Sequence, residues 1–356
     1  MKARKVYGLL LALAATGPIS DPASADPVAD FYKDKQIQII VRSPPGGSYD
    51  QYSRLVANHM VRHIPGNPTT IMRHMTGAAG VQAINYVETV APHDGTVMTI
   101  VSNGLPMDQA LGLTEGMKAD MKALNWIGNI TSSNEVMVAW HTSPAKTIEE
   151  AKKTSIHLGS AAAASAGAKF GAVTNNILGT KFKLIFGYPG GSSLNLAMER
   201  GETQGRANGL WATIKSTNPD WVAEKKVYPL VQIGLAKEPD LPDVPLLIDL
   251  AQNAQDRAVL EFITKGAIVG RPFAVASGVP KERVEALRRA FDLTMKDPAF
   301  LAEAERTRAE ISPSSGEDMQ QLVADIIDAP ADVRARAKQA MELRDEDGQT
   351  KGGSTK

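Results

Sequence analysis

The chain has 356 residues, with 39 basic and 39 acidic side chains in balance and no cysteine. Disulfides, thiol chemistry and a lipoprotein anchor are thereby excluded, and the neutral balance offers no footprint for nucleic acid or an anionic membrane surface. A chain of this length is ample for two domains held by their own cores.

The first segment reads as a secretory signal rather than part of the fold. Lys2, Arg4 and Lys5 precede the apolar run Val6 to Ala15, and Ala23-Ser24-Ala25 supplies an A-x-A cleavage site before Asp26. The run is too short to span a bilayer. Removal of residues 1–25 takes away those three bases and Asp21, leaving 36 basic and 38 acidic residues, a net charge of −2. The expected setting is the periplasm.

Ile37, Ile39, Ile40 and Val41 read as a buried strand that Pro44-Pro45 stops. Gly46-Gly47 gives a turn free to adopt positive φ, and Tyr52, Leu55, Val56 and Met60 recur at helical spacing behind it. Ser48 and Gln51 fit a capping box at the helix start. Strand, glycine turn and helix N-terminus together present free N–H groups and a positive dipole end to an anion. The bland alternative is a βα turn that binds nothing, and Asp50, able to satisfy the dipole itself, supports it.

The device then repeats. Thr69 to His74 is a strand leading to Thr76-Gly77-Ala78-Ala79-Gly80 and a helix, and Val97 to Val101 is a strand ending in Ser102-Asn103-Gly104. Two strand-like runs between Leu124 and Trp140 flank a crossing at Thr131 to Asn134. Thr147 and Glu150 form a capping box, Ile156 to Gly159 is a strand, and Ser160 to Gly167 is a small-residue loop. Phe182 to Phe186 leads into Tyr188-Pro189-Gly190-Gly191-Ser192-Ser193, and a further strand-like piece ends at Ala207-Asn208-Gly209. Val227 to Ile233 and Arg271 to Ala276 complete the strands, and Leu322, Val323, Ile326 and Ile327 mark a late amphipathic helix. The tail from Arg344 is charged and glycine-rich, and it is expected to be disordered. In an open sheet such strand-end loops gather at the carboxyl edge, where ligands bind.

Several marks, in this order and spacing, carry a resemblance. They are Pro45-Gly46-Gly47 with Asp50 and Arg54, Gly77-Ala78-Ala79-Gly80, His93-Asp94-Gly95, Leu241-Pro242-Asp243-Val244-Pro245 and Gly278-Val279-Pro280. From about Phe31 to Ile327 the chain resembles the receptors of tripartite tricarboxylate transporters, the Bug-type periplasmic solute-binding proteins. The resemblance implies an α/β fold of two lobes, mixed sheets flanked by helices, closing a type II-like cleft on a small organic carboxylate. Lobe 1 is expected at 26–130 plus 268–343 and lobe 2 at 131–267.

The site residues expected in lobe 1 are Ser43, Gly46, Gly47, Ser48, Tyr49, Asp50, Ala78, Ala79, Gly80 and Asn103. In lobe 2 they are Ser160, Ser165, Tyr188, Gly190, Gly191, Ser192, Ser193 and Asn208. Loop amides and hydroxyls, with few fixed cationic side chains, are expected to hold the ligand. The implied protein is a monomeric receptor that serves membrane transporter subunits, needs no cofactor or metal and is not an enzyme; presentation of a carboxylate to a membrane sensor kinase is the alternative. Ser48 and Tyr49 stand where the family usually has glycine and threonine, Ala79 replaces a glycine, and Arg42 adds a charge at the entry, so ligand identity stays open.

Other classes fit less well. Gly46-Gly47 lacks the Gly-Lys-Ser/Thr of a P-loop, and neither glycine turn is a Rossmann G-x-G-x-x-G. His59 and His63 have a ligand spacing but lack the glutamate of a zincin and a third partner. No serine occupies a nucleophile elbow.

Overall fold

The structure is a computed structural model that describes residues 26–163, 165–188 and 190–344. The signal segment 1–25 and the tail beyond Arg344 lie outside the described residues, as does Pro189. Eleven strands follow in order: β1 (Gln36–Val41), β2 (Thr69–His74), β3 (Val97–Ile100), β4 (Asn125–Asn129), β5 (Glu135–Trp140), β6 (Ile156–Gly159), β7 (Phe182–Ile185), β8 (Gly205–Arg206), β9 (Val227–Ile233), β10 (Pro272–Val275) and β11 (Ser314–Ser315). They form two mixed sheets flanked by helices, a two-lobed α/β fold. No described helix is long and apolar enough to cross a membrane.

The first sheet has the order β11-β4-β10-β3-β1-β2. β1 lies between β2 and β3, parallel to both, with Ile39 opposite Met72 on one side and Met98 on the other. A strand covered on both faces needs apolar side chains in both directions, and Ile37, Ile39, Ile40 and Val41 supply them. All four residues of β3 and of β10 are buried too. Three parallel strand ends therefore open on one edge, where residues 43–48, 76–80 and 102–104 emerge. The second sheet, β7-β6-β8-β5-β9, repeats the arrangement, with β7 and β8 parallel to β6. Its corresponding edge carries residues 160–163 and 165, 186–188 and 190–191, and 207–209.

Two segments connect the sheets side by side. The Arg271 N–H donates to the Asn129 side-chain oxygen at 2.7 Å and to the Thr131 carbonyl at 3.2 Å, and the Ile130 N–H returns to the Arg271 carbonyl at 3.4 Å. Gly270 makes this approach possible: its φ is +70°, and a Cβ there would lie 2.1 Å from the Thr131 carbonyl oxygen. The last helix, Ala331–Ala340, packs on the helices Ala254–Ala267 and Ala166–Val173, and Asn176 of the second lobe donates to the Ala340 and Glu342 carbonyls at 2.8 and 2.9 Å. The second lobe has its own aromatic centre, where the Trp140 and Trp221 rings meet edge to face at 4.8 Å.

The helix Ser48–Met60 follows the first turn, as its spacing predicts. Its buried stripe, Tyr49, Ser53, Val56 and Met60, begins one turn earlier than Tyr52. The capping expectation is corrected. Gly47 is the N-cap and offers no side-chain bond, while Gln51 points away to the Thr307 carbonyl at 2.9 Å. The second capping box is half present: Thr147 accepts from the Glu150 N–H at 3.2 Å, and the Glu150 carboxylate accepts from Lys146. His59 and His63 meet Glu303 at 2.6 Å and Asp297 at 2.9 Å, tying this helix to the C-terminal part of the chain.

Candidate functional site

The first-lobe edge is organised around Tyr49. Its ring is buried, its hydroxyl donates to the Asn103 side-chain oxygen at 3.1 Å, and the Asn103 N–H donates back at 3.2 Å. Two guanidinium groups lie against the ring, Arg42 at 4.0 Å and Arg271 at 4.4 Å from its centroid. Such contacts hold a cation in place and leave its N–H groups available. Arg42 also donates to the Ala79 carbonyl at 3.3 Å, while Arg271 reaches the Gly270 carbonyl at 3.1 Å and the Ser48 hydroxyl at 3.4 Å. Neither forms an ion pair among the described residues, and the Nε of each is buried with no hydrogen-bond partner. Burial would push the Tyr49 hydroxyl up, but Arg271, Arg42 and the Asn103 amide outweigh it and hold it below its ordinary value.

The loop after β2 supports this arrangement with unusual backbone. Ala78 and Ala79 have φ of +42° and +53°, a left-handed conformation that costs energy for residues with a Cβ. It brings the Ala79 carbonyl to Arg42, and Gly80 packs against the same side chain, where a Cβ would sit 3.0 Å from Arg42 Cδ.

Asp50 is occupied within the protein. Its carboxylate accepts from the Gly46 N–H at 2.9 Å, from Arg54 at 3.0 Å and from His74 at 2.7 Å. Burial raises its pKa, but these donors prevail and hold it below the usual carboxylate range. The Gly46 amide is therefore spent on Asp50. Of the glycine pair only Gly46 has positive φ, at +86°, whereas Gly47 is extended at −80° and a Cβ there would meet ordinary contacts. The turn needs glycine at 46 for its backbone and not at 47. The first-turn amides of Ser48, Tyr49 and Asp50 are the ones a helix leaves without intrahelical acceptors.

In the second lobe, Arg206 is 8 % exposed and stands at the end of β8. It donates to the Asn208 carbonyl and to the Asn195 side chain, each at 2.7 Å. Glu135 opens β5, and its carboxylate accepts from the Asn208 amide at 3.1 Å. Burial pushes the Glu135 carboxyl up against the opposing effects of Asn208, Arg206 and Arg271. Lys169 of the helix Ala166–Val173 adds a direct bridge to Asp108 of the helix Leu105–Ala110, at 3.1 Å.

The remaining expected residues fall into two groups. Ser165 caps its helix by accepting from the Ala168 N–H, and its hydroxyl lies 2.8 Å from that of buried Ser160. Ser193 bonds back to Gly190 in both directions, so the Gly190 amide is also spent. Gly191 and Ser192 are exposed at the start of their helix, and Gly191 faces the Arg206 guanidinium. Tyr188 has its hydroxyl raised by burial and by Glu202, while Ser43 does no more than approach the Pro44 carbonyl at 3.4 Å.

Arg271, Arg206 and Glu135 had escaped the sequence reading, and the expectation of few fixed cations is corrected. The two arginines each stand next to a glycine, in Gly270-Arg271 and Gly205-Arg206-Ala207-Asn208-Gly209, which was the available signal, whereas Glu135 carries none. A separate cavity of about 320 Å³ is lined by Tyr52, Thr213, Ser216, Arg308 and Glu310 among others.

Solved structures similar to this chain include solute-binding proteins. A TctC solute-binding protein from Polaromonas matches 87 % of this chain and 99 % of its own at 20 % identity, with a TM-score of 0.66. The periplasmic binding protein BugD matches 87 % and 98 % at 20 % identity, TM-score 0.59. MatC from Rhodopseudomonas palustris, solved with bound malate, matches 86 % and 99 % at 18 % identity, TM-score 0.58. No family model and no curated protein sequence matches the chain.

Proposed function

We propose that the protein is a Bug-type periplasmic receptor. It captures a small organic carboxylate between its lobes and delivers it to a tripartite tricarboxylate-type membrane transporter. Lobe 1 comprises 26–130 and 268–343, lobe 2 comprises 131–267, and the mature chain is a monomer that starts after the signal segment. The observation that carries this reading is the pair of guanidiniums at Tyr49, which form no ion pair with a carboxylate among the described residues. Both side chains are half-buried, and a carboxylate arriving there would gain charge-assisted hydrogen bonds from them. The fold shared with TctC, BugD and malate-bound MatC supports the same reading.

A thermal-shift screen tests it. Mono-, di- and tricarboxylates, aromatic acids and amino acids are added to the mature protein. A ligand at a hundred times its Kd stabilises the native state by about 2.7 kcal/mol, a shift of several degrees. Stabilisation by at least one carboxylate and by no neutral sugar is expected. Stabilisation by sugars or cations alone would contradict the reading.

A further inference from the structure

Arg42 and Arg271 come from distant points of the chain, the end of β1 and the segment before β10. Both nevertheless lie against one ring, 4.0 and 4.4 Å from the Tyr49 centroid. Tyr49 itself is held fast. Its ring belongs to the buried core of the first sheet, and its hydroxyl exchanges hydrogen bonds with the Asn103 side chain and N–H at 3.1 and 3.2 Å. The strand-end loops meet here, because Arg42 also donates to the Ala79 carbonyl at 3.3 Å and Arg271 to the Ser48 hydroxyl at 3.4 Å. Two guanidiniums gathered at one ring repel each other, and a carboxylate between them is the common remedy. Neither arginine has an ion pair among the described residues. The negative face of the ring stands in for the carboxylate, and it leaves free the N–H groups that a carboxylate would occupy.

We infer that Tyr49 is a positioning residue, whose ring holds Arg42 and Arg271 together as a preassembled clamp for one acid group of the solute. The inference rests on the carboxylate-receptor reading and deepens it. Arginine side chains are among those with the most rotamer freedom to lose on being ordered. Contacts that order both of them before the solute arrives leave less to be lost on binding. With a weaker ring the two side chains would separate in the unbound protein and have to be gathered again. The rival role for Tyr49 is to fill space. The two roles depend on different properties of the ring: packing on its shape, the cation contacts on the charge of its face.

Fluorinated phenylalanines at position 49 separate them, because each fluorine withdraws charge from the ring face and changes the shape little. Phenylalanine and its mono-, di- and trifluoro forms are placed there. Acetate, benzoate, succinate, malate, adipate and citrate are then titrated into each mature protein by calorimetry, and melts without solute check that the fold is intact. The tightest of these acids should bind Tyr49→Phe within about threefold of the wild type, and lose affinity steadily along the series to about tenfold at the trifluoro form. Tyr49→Leu, which has no ring, should bind at least as weakly as the trifluoro form. Equal affinity across the fluorinated series would overturn the role of Tyr49 while the carboxylate reading stands. So would a loss in Tyr49→Phe as large as that in Tyr49→Leu, which would give the part to the hydroxyl and Asn103. If none of these acids binds the wild type, the carboxylate reading and the inference fall together.

Discussion

Arg271→Gln is expected to weaken capture of a carboxylate by about two orders of magnitude while the protein stays folded. Arg271 is fixed at the point where the connecting segments meet, through its backbone bonds to Asn129 and Thr131, and those bonds survive the substitution. What is lost is the guanidinium against Tyr49. A charge-assisted hydrogen bond contributes roughly 1.5–3 kcal/mol, so loss of a two-pronged contact amounts to about 3 kcal/mol or more, a hundredfold or greater change in Kd. The unbound protein should tolerate the change, because the native arginine has an unsatisfied Nε and no ion pair among the described residues. Calorimetry on the wild type and variant, with a thermal melt of each without ligand, measures both parts. Equal affinities would remove Arg271 from the site.

The largest effect on stability is expected from Phe291→Ala. Phe291 is fully buried on the helix Lys281–Thr294, and its ring lies 6.2 Å from that of Phe273 in β10. Its other neighbour is Gly128 in β4, where a Cβ would come within 2.3 Å of the ring, so the ring rests directly on the strand backbone. At Gly128 the strand has no side chain to fill the void that truncation would leave. Truncation of a buried phenylalanine in such a place costs about 3–5 kcal/mol, a large fraction of the roughly 5–15 kcal/mol that separates native from unfolded states. Urea unfolding of the two proteins measures the difference, and a loss below about 1 kcal/mol would show that the lobe repacks around the gap.

Most of the strands were legible because they are short β-branched runs punctuated by glycine or proline, whereas β11, Ser314–Ser315, carries no such signal. Thr69–His74, Ile156–Gly159 and Val227–Ile233 stand where the sequence places them. The chain also reveals that six strand ends carry small-residue loops, and the parallel register around β1 and β6 shows why they gather at two edges. The charged part of the site was less accessible. Arg206 and Arg271 are ordinary arginines in sequence, and only the pairing of β8 with β6 and the crossing of residues 129–131 with 270–271 brings them to the turns. Asp50 was legible only in part, as a carboxylate able to satisfy the helix start by itself. It sits in the most ligand-like motif of the chain, yet Gly46, Arg54 and His74 claim it through contacts that one sequence cannot display. Gly47 likewise reads as the twin of Gly46, although only Gly46 requires a left-handed backbone.

Hydrogen exchange with and without the carboxylate that raises the melting temperature most is the measurement closest to the central claim. If the solute is held between the lobes, amides on both edges should gain protection together: residues 43–48, 76–80 and 102–104 in the first lobe, and 160–163, 165, 186–188, 190–191 and 206–209 in the second. Protection confined to one lobe, or centred on surface away from these turns, would contradict a site in the cleft.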